Sequence, residues 1–302
     1  MYSKLMFHLA ALLLAVLALP AAAALNVFAT VPEWAALAKE IGGERVQVFS
    51  ATNALQDPHR IEAKPSLIAR ARASQLVVAT GADLEIGWLP VVLRESGNAA
   101  IQPGQPAYFE AASAVRLIEV PVRLDRADGD VHPGGNPHIQ TDPRNVLKVA
   151  EALAGRMSRV DPAGAGAYSA NLARFSERWK VAMVRWEQAA APLRGVPVWV
   201  QHRSFAYLAD WLGIKELGAL EPKPGVEPGS AHLAGLLERQ KATPARMILR
   251  AAYSRPTASD WLGDRAGIPV VVLPFTVGGS PTAADLVSLF DDTVQRLLGG
   301  LR

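Results

Sequence analysis

Leu25-Asn26-Val27-Phe28-Ala29, the run from Glu33 to Ile41 closed by Gly42-Gly43, and Val46-Gln47-Val48-Phe49 decide the fold of this chain. The first and last are short β-rich runs. The segment between them carries apolar residues at helical spacing and stops at a glycine pair, where helices commonly end. Strand, helix, strand in so few residues leaves room for a parallel pair with a crossover helix. Pro65-Ser66 then opens a helix predicted to run through Ala73, and Leu76-Val77-Val78-Ala79 reads as a buried strand. The β-α-β-α-β repeat predicts a parallel sheet covered by helices, with ligand sites at the carboxyl ends of its strands.

The same alternation returns after Pro192. Pro197-Val198-Trp199-Val200, Ile214 to Leu217, Arg246-Met247-Ile248-Leu249 and Pro269 to Leu273 read as strands, with helices over Phe205–Leu212, Ala231–Gln240 and Ala283–Leu298. Between the two halves, Asp161-Pro162 offers an N-cap and a proline at the first helical position. Tyr168, Leu172, Phe175, Trp179, Met183 and Trp186 follow at steps of three and four, one face of a single helix reaching about Ala190 and roughly 40 Å long. That aromatic stripe is read as a packing face, not a cofactor box. The fold class is therefore α/β: two lobes, each a mainly parallel sheet flanked by helices, joined by one long backbone helix. The expected division is a signal peptide over 1–24, a lobe over 25–160, the linking helix over 161–190 and a second lobe over 191–302.

The N-terminus, Met1-Tyr2-Ser3-Lys4, an apolar run from Leu5 to Leu19 and Ala21-Ala22-Ala23-Ala24, has the basic, apolar and small-residue regions of a cleaved secretory signal. The mature chain is expected to start near Leu25, in the periplasm. No cysteine occurs in the 302 residues, so neither a disulfide nor a cysteine-linked lipid anchor is expected. Half of the residues are hydrophobic, enough for a sizeable core. The 31 basic and 28 acidic residues are interleaved, with no basic stripe carrying aromatics, so nucleic acid is not an expected partner.

Three histidines lie on short polar turns beside these elements: His59 in Gln56-Asp57-Pro58-His59, His138 in Asn136-Pro137-His138-Ile139-Gln140-Thr141-Asp142-Pro143, and His202 in Gln201-His202-Arg203-Ser204. Brought together, three neutral imidazoles make a site for a borderline ion such as Zn²⁺. Any one of them alone reads as an ordinary loop residue. Asp57, Glu62 and Asp142 are the nearest candidates to orient the rings, and each equally suits a turn or helix cap; Asp142-Pro143 looks like a cap and first helical residue.

The chain resembles the periplasmic zinc/manganese-binding proteins of ABC importers, whose two lobes are joined by a rigid helix. The match rests on Asp57-Pro58-His59 followed by Lys64-Pro65-Ser66, on Pro137-His138-Ile139-Gln140-Thr141-Asp142-Pro143-Arg144-Asn145, on Gln201-His202 before Phe205 and Tyr207, and on Val226-Glu227-Pro228 ahead of Leu233. The resemblance covers the mature chain. It implies that His59, His138 and His202 ligate a metal between the lobes, that Zn²⁺ is the transported ion, and that an inner-membrane permease with its ATPase receives it. A monomer is expected, and a periplasmic metallochaperone is a second possible partner. Manganese members usually replace a histidine with a carboxylate, so Mn²⁺ is the alternative cargo and the all-nitrogen set favours zinc. The linking helix should restrict hinge motion, so that metal exchange depends on local ordering of loops.

Many relatives supply a fourth ligand, often Asp, from the loop after the last strand. Here Leu273-Pro274-Phe275-Thr276-Val277-Gly278-Gly279-Ser280 has no carboxylate, which leaves Asp285, another acidic residue or water. His132, in the Asp/Gly-rich segment from Asp125 to Pro137, is expected on a solvated loop, and His232 on a helix surface. A zinc hydrolase and a periplasmic metallochaperone or adhesin are the rival readings. Neither H-E-x-x-H nor G-x-S-x-G occurs, and no glutamate stands poised as a base beside the ligands, so an enzyme is not expected.

Overall fold

The computed structural model describes residues 24–122, 129 and 131–302, and the expected signal peptide up to residue 23 lies outside them. The first sheet contains β1 (Leu25–Ala29), β2 (Val46–Ser50), β3 (Leu76–Ala79) and β4 (Tyr108–Glu110), in the order β2-β1-β3-β4 with every pair parallel. Its helices are α1 (Pro32–Gly42), α2 (Pro65–Arg72), α3 (Leu89–Ser96) and α4 (Pro143–Val160). The second sheet, of β5 (Pro197–Val200), β6 (Lys215–Ala219), β7 (Met247–Ala251) and β8 (Val270–Leu273), repeats the arrangement as β6-β5-β7-β8, again all parallel. It carries α6 (Ala206–Leu212), α7 (Ser230–Ala242), α8 (Thr257–Ala266) and α9 (Leu286–Gly299). In both sheets the strand order reverses beside the first strand, which opens a crevice at the carboxyl ends.

The linking helix α5 spans Ala165–Ala189, about 38 Å at 1.5 Å per residue. It starts later than the sequence suggested. Pro162–Gly164 form a single 3₁₀ turn, and the Asp161 carboxylate does not cap a helix. Instead it accepts the Tyr168 hydroxyl at 2.6 Å and pairs with Arg45 at 3.2 Å, a pull from both partners that holds its pKa below the ordinary value against its modest burial. The aromatic stripe packs as expected: Tyr168, Phe175, Trp179 and Trp186 are buried. Phe175 stacks on Trp179, and Trp186 stacks on Phe290 of α9. Trp179 donates to the Pro143 carbonyl at the start of α4, and Trp186 donates to Asp291 of α9, so both indole N–H groups are satisfied as their rings are buried. One apolar cluster runs from β1 and α1 through α5 to β5, β7 and α9. The two lobes thus share a core along this helix, which resists any movement that would separate them.

Candidate metal centre

His59 and His138 are built by the same local device. In Asp57-Pro58-His59, Asp57 Oδ1 accepts the backbone N–H of His59 at 3.0 Å and lies 2.8 Å from its Nδ1. In Asn136-Pro137-His138, Asn136 Oδ1 accepts the backbone N–H of His138 at 2.9 Å and lies 2.8 Å from its Nδ1. An Asx side chain closing on the residue two positions later is a favoured turn, and the intervening proline restricts its backbone. The ring is aimed by the residue that makes the turn. Trp88 holds the first loop from beneath by donating to the Pro58 carbonyl at 3.0 Å. The second loop is held by Tyr207, which donates to the Asn136 carbonyl at 2.7 Å.

His202 follows directly from β5, where the Gln201 N–H continues the sheet by bonding the Leu249 carbonyl. Its Nδ1 lies 2.7 Å from Glu221 Oε2, on the segment after β6. All three Nδ1 atoms therefore face oxygens that accept only. Asn136 is oriented unambiguously, because its amide nitrogen donates to Glu119 and to the Arg203 carbonyl, both at 2.8 Å. Each neutral ring carries its proton on Nδ1 and presents a lone pair at Nε2. One ligand nitrogen from each ring lies within 4.8 Å of the other two, and among the described residues this is the group able to hold a metal ion. The Nε2 atoms of His59 and His138 are buried and have no hydrogen-bond partner among the described residues. Buried nitrogens left so are costly unless something else takes their lone pairs.

Electrostatics keep His138 in its ligand form. Burial first, and then the neighbouring imidazoles, push the pKa of His138 well below the usual histidine value, so this ring is neutral near pH 7. Burial would raise the Asp57 carboxyl, but the hydrogen bonds that His59 donates from its ring and its backbone outweigh it and hold Asp57 below its ordinary range. The oxygen facing His59 is thus an anion, which raises the basicity of Nε2.

Of the residues proposed to orient the rings, Asp57 does so and Asp142 does not. Asp142 caps α4, accepting the Arg144 N–H at 2.8 Å, and its other bonds go to the Arg144 guanidinium. Asp285 is engaged elsewhere. It caps α9 in a reciprocal pair with Ser288 and borders a surface groove with Lys39, Arg174 and Arg178, which contains no histidine. The loop after β8 contributes an aromatic instead: Phe275, at a left-handed φ of 53°, lies edge-on to His138 with ring centres 5.7 Å apart. His132 departs from the expected solvated loop. Its ring centre is 5.3 Å from that of His59 and 6.5 Å from that of His138, beside the mutual set of three. Asn136 and Glu221 were not foreseen. Asn136 could have been, since it stands two residues before a histidine just as Asp57 does.

Residues 27–300 match the family model for the zinc-uptake complex component A, periplasmic. The chain belongs to this family. It is 22% identical over 253 residues to the zinc-binding lipoprotein AdcA of Streptococcus pneumoniae, a match covering 82% of this chain and 49% of that protein, so the chain spans about half the length of this relative. To the manganese ABC transporter substrate-binding lipoprotein PsaA of Streptococcus pneumoniae it is 23% identical over 259 residues, 83% of this chain and 80% of that one. A crystal structure of ZnuA superposes with a TM-score of 0.74 at 23% identity, covering 92% of this chain and all of that one. At that identity the superposition speaks for the fold alone: two parallel-sheet lobes on one long helix.

Proposed function

We propose that this protein captures Zn²⁺ in the periplasm between its lobes, through Nε2 of His59, His138 and His202, and delivers it to the permease and ATPase of an ABC importer. The observation that carries the reading is the convergence of three imidazoles whose Nδ1 atoms are all committed to oxygen acceptors, leaving lone pairs aimed inward. Two of these rings come from the first lobe and one from the second, so an ion would be bound by both at once. Ligands already oriented by their Nδ1 partners lose little entropy on binding.

Zinc suits the donor set better than manganese. Three nitrogens with no carboxylate among them match a borderline ion, while the harder Mn²⁺ prefers oxygen. Zinc binding supported by a relative's name is matched by a manganese-named relative, so the argument for zinc rests on the donors. A water completes four-coordination in this reading, because Asp285 is committed to its helix cap. The shared core along α5 leaves the loops around His59, His138 and Glu221 to open and close for exchange. The protein acts as a binding component and not as a hydrolase, since Asp57 and Glu221 hold the rings and are not presented to a bound water.

Calorimetric titration of the chelator-stripped protein with Zn²⁺, with Mn²⁺ in parallel, tests the reading. One zinc per chain is expected, with much weaker Mn²⁺ binding and an affinity lowered more than about a hundredfold by His59→Ala, His138→Ala or His202→Ala. Indifference to all three substitutions would overturn it.

A further inference from the structure

Resting on that reading of the site, we infer that Arg60 and the turn Lys223-Pro224-Gly225-Val226 form a metal-responsive clasp across the cleft, in which Arg60 is a positioning residue that sets how long zinc is retained. The turn itself is dictated by sequence. Val226 N–H bonds the Lys223 carbonyl at 3.0 Å, with proline in the second place and Gly225 in the third at a φ of 75°, a conformation that glycine adopts freely.

Both backbone groups of Gly225 are used. Its N–H donates to Glu221 Oε2 at 2.8 Å, the same oxygen that takes the His202 Nδ1 proton at 2.7 Å. Its carbonyl accepts from Arg60 Nη2 at 2.7 Å. Arg60 belongs to the turn that carries His59: its N–H bonds the Asp57 carbonyl at 3.1 Å, and its Nε lies 4.0 Å from Asp57 Oδ2. Asp57 Oδ1 in turn lies 2.8 Å from His59 Nδ1. A chain of polar contacts therefore leaves one metal-facing ring and returns to the other through His59, Asp57, Arg60, Gly225, Glu221 and His202, crossing between lobes at Arg60.

The two sides of the cleft differ. Beside His138 the first lobe is tied by Asn136 to the Arg203 carbonyl, by Tyr207 to the backbone of Ile118 and Asn136, and by the Arg203–Glu119 ion pair. Beside His59 and His202, among the described residues, a crossing is made by Arg60, whose side chain is 60% exposed. An exposed crossing is the one that opens at least cost, so this is the edge that yields when metal leaves. An ion on Nε2 makes each Nδ1–H a stronger donor and stiffens Asp57 and Glu221 at both ends of the chain of contacts. Coupling is reciprocal: whatever the metal does to hold the clasp, the clasp does to hold the metal.

The test is stopped-flow release of zinc to a competing chelator from the wild-type protein, Arg60→Ala and Arg60→Lys, with hydrogen exchange at the Gly225 amide with and without zinc. Arg60→Ala is expected to release zinc about tenfold faster at an association rate changed less than about twofold. Arg60→Lys, which keeps a donor and the charge, restores most of the retention. Zinc protects the Gly225 amide in the wild type and not in Arg60→Ala. Wild-type release from Arg60→Ala, with protection indifferent to zinc, would overturn the clasp while leaving the zinc site standing. A wild-type protein that takes up no zinc would remove the reading beneath it.

Discussion

Glu33 is a carboxyl with almost no water around it, and replacing it with glutamine should change how stability responds to pH. It lies in the first turn of α1, 2% exposed, and accepts the Thr276 hydroxyl at 2.5 Å from the loop after β8 in the other lobe. Burial, only partly offset by that hydrogen bond, pushes its pKa up from 4.5 to about 7, with the buried Glu85 adding repulsion. Burial also raises the pKa of Glu85, but two backbone N–H donors, from Thr80 and Gly81, and the Thr30 hydroxyl oppose that rise. Because the folded protein holds a proton on Glu33 that the unfolded chain gives up, stability from this group is full below about pH 4.5 and is lost as pH rises to about 7. At ~1.4 kcal/mol per unit the loss amounts to about 3 kcal/mol. Glu33→Gln keeps the shape and cannot ionise. Urea unfolding of the metal-free wild type and variant between about pH 5 and pH 8, at equal m-values, isolates the term, since every other group titrates in both. The variant should gain about 2.5 kcal/mol on the wild type over that range, the rest of the loss falling below about pH 5. A difference that stays constant with pH would refute the reasoning.

Asn136→Ala removes the acceptor of His138 Nδ1 and the interlobe bond to Arg203, and zinc affinity should fall about 10- to 100-fold by calorimetry. Asp285→Ala should leave zinc affinity unchanged while costing about 1 kcal/mol in chemical unfolding, because its carboxylate caps α9. Trp179→Ala should cost about 3–5 kcal/mol by the same assay, because the indole is fully buried between α4 and α9 in the shared core.

Much of the fold was legible because its signals are local. The strands from Leu25, Val46 and Leu76 are apolar runs bounded by glycine, proline or polar turns, and the structure places them within a residue of the reading. Elements that the reading passed over have weaker signals. β4 is three residues long, and α8 contains Gly263 within its turns. α4 was marked only by its Asp142-Pro143 start. Asp161 has the composition of a cap, yet Tyr168 and Arg45 compete for its carboxylate, and no reading of neighbours along the chain reveals a partner 116 residues away.

The site divides in the same way. His59 and His138 stand in Asx-Pro-His turns whose geometry is written locally, and His202 stands at a strand end where ligands gather. Glu221 meets His202 only because β5 and β6 pair in parallel and bring a residue 19 positions further along the chain back to the same edge. His132 comes beside His59 through tertiary packing that its loop composition does not announce.

The central claim is that three imidazole Nε2 atoms meet on one ion. Zinc K-edge X-ray absorption of the protein loaded with one equivalent tests it most directly. The account predicts a four-coordinate first shell with three imidazole nitrogens at about 2.0–2.1 Å, and one fewer imidazole in each single His→Ala variant. A first shell of oxygens alone, or a spectrum unchanged by the substitutions, would contradict it.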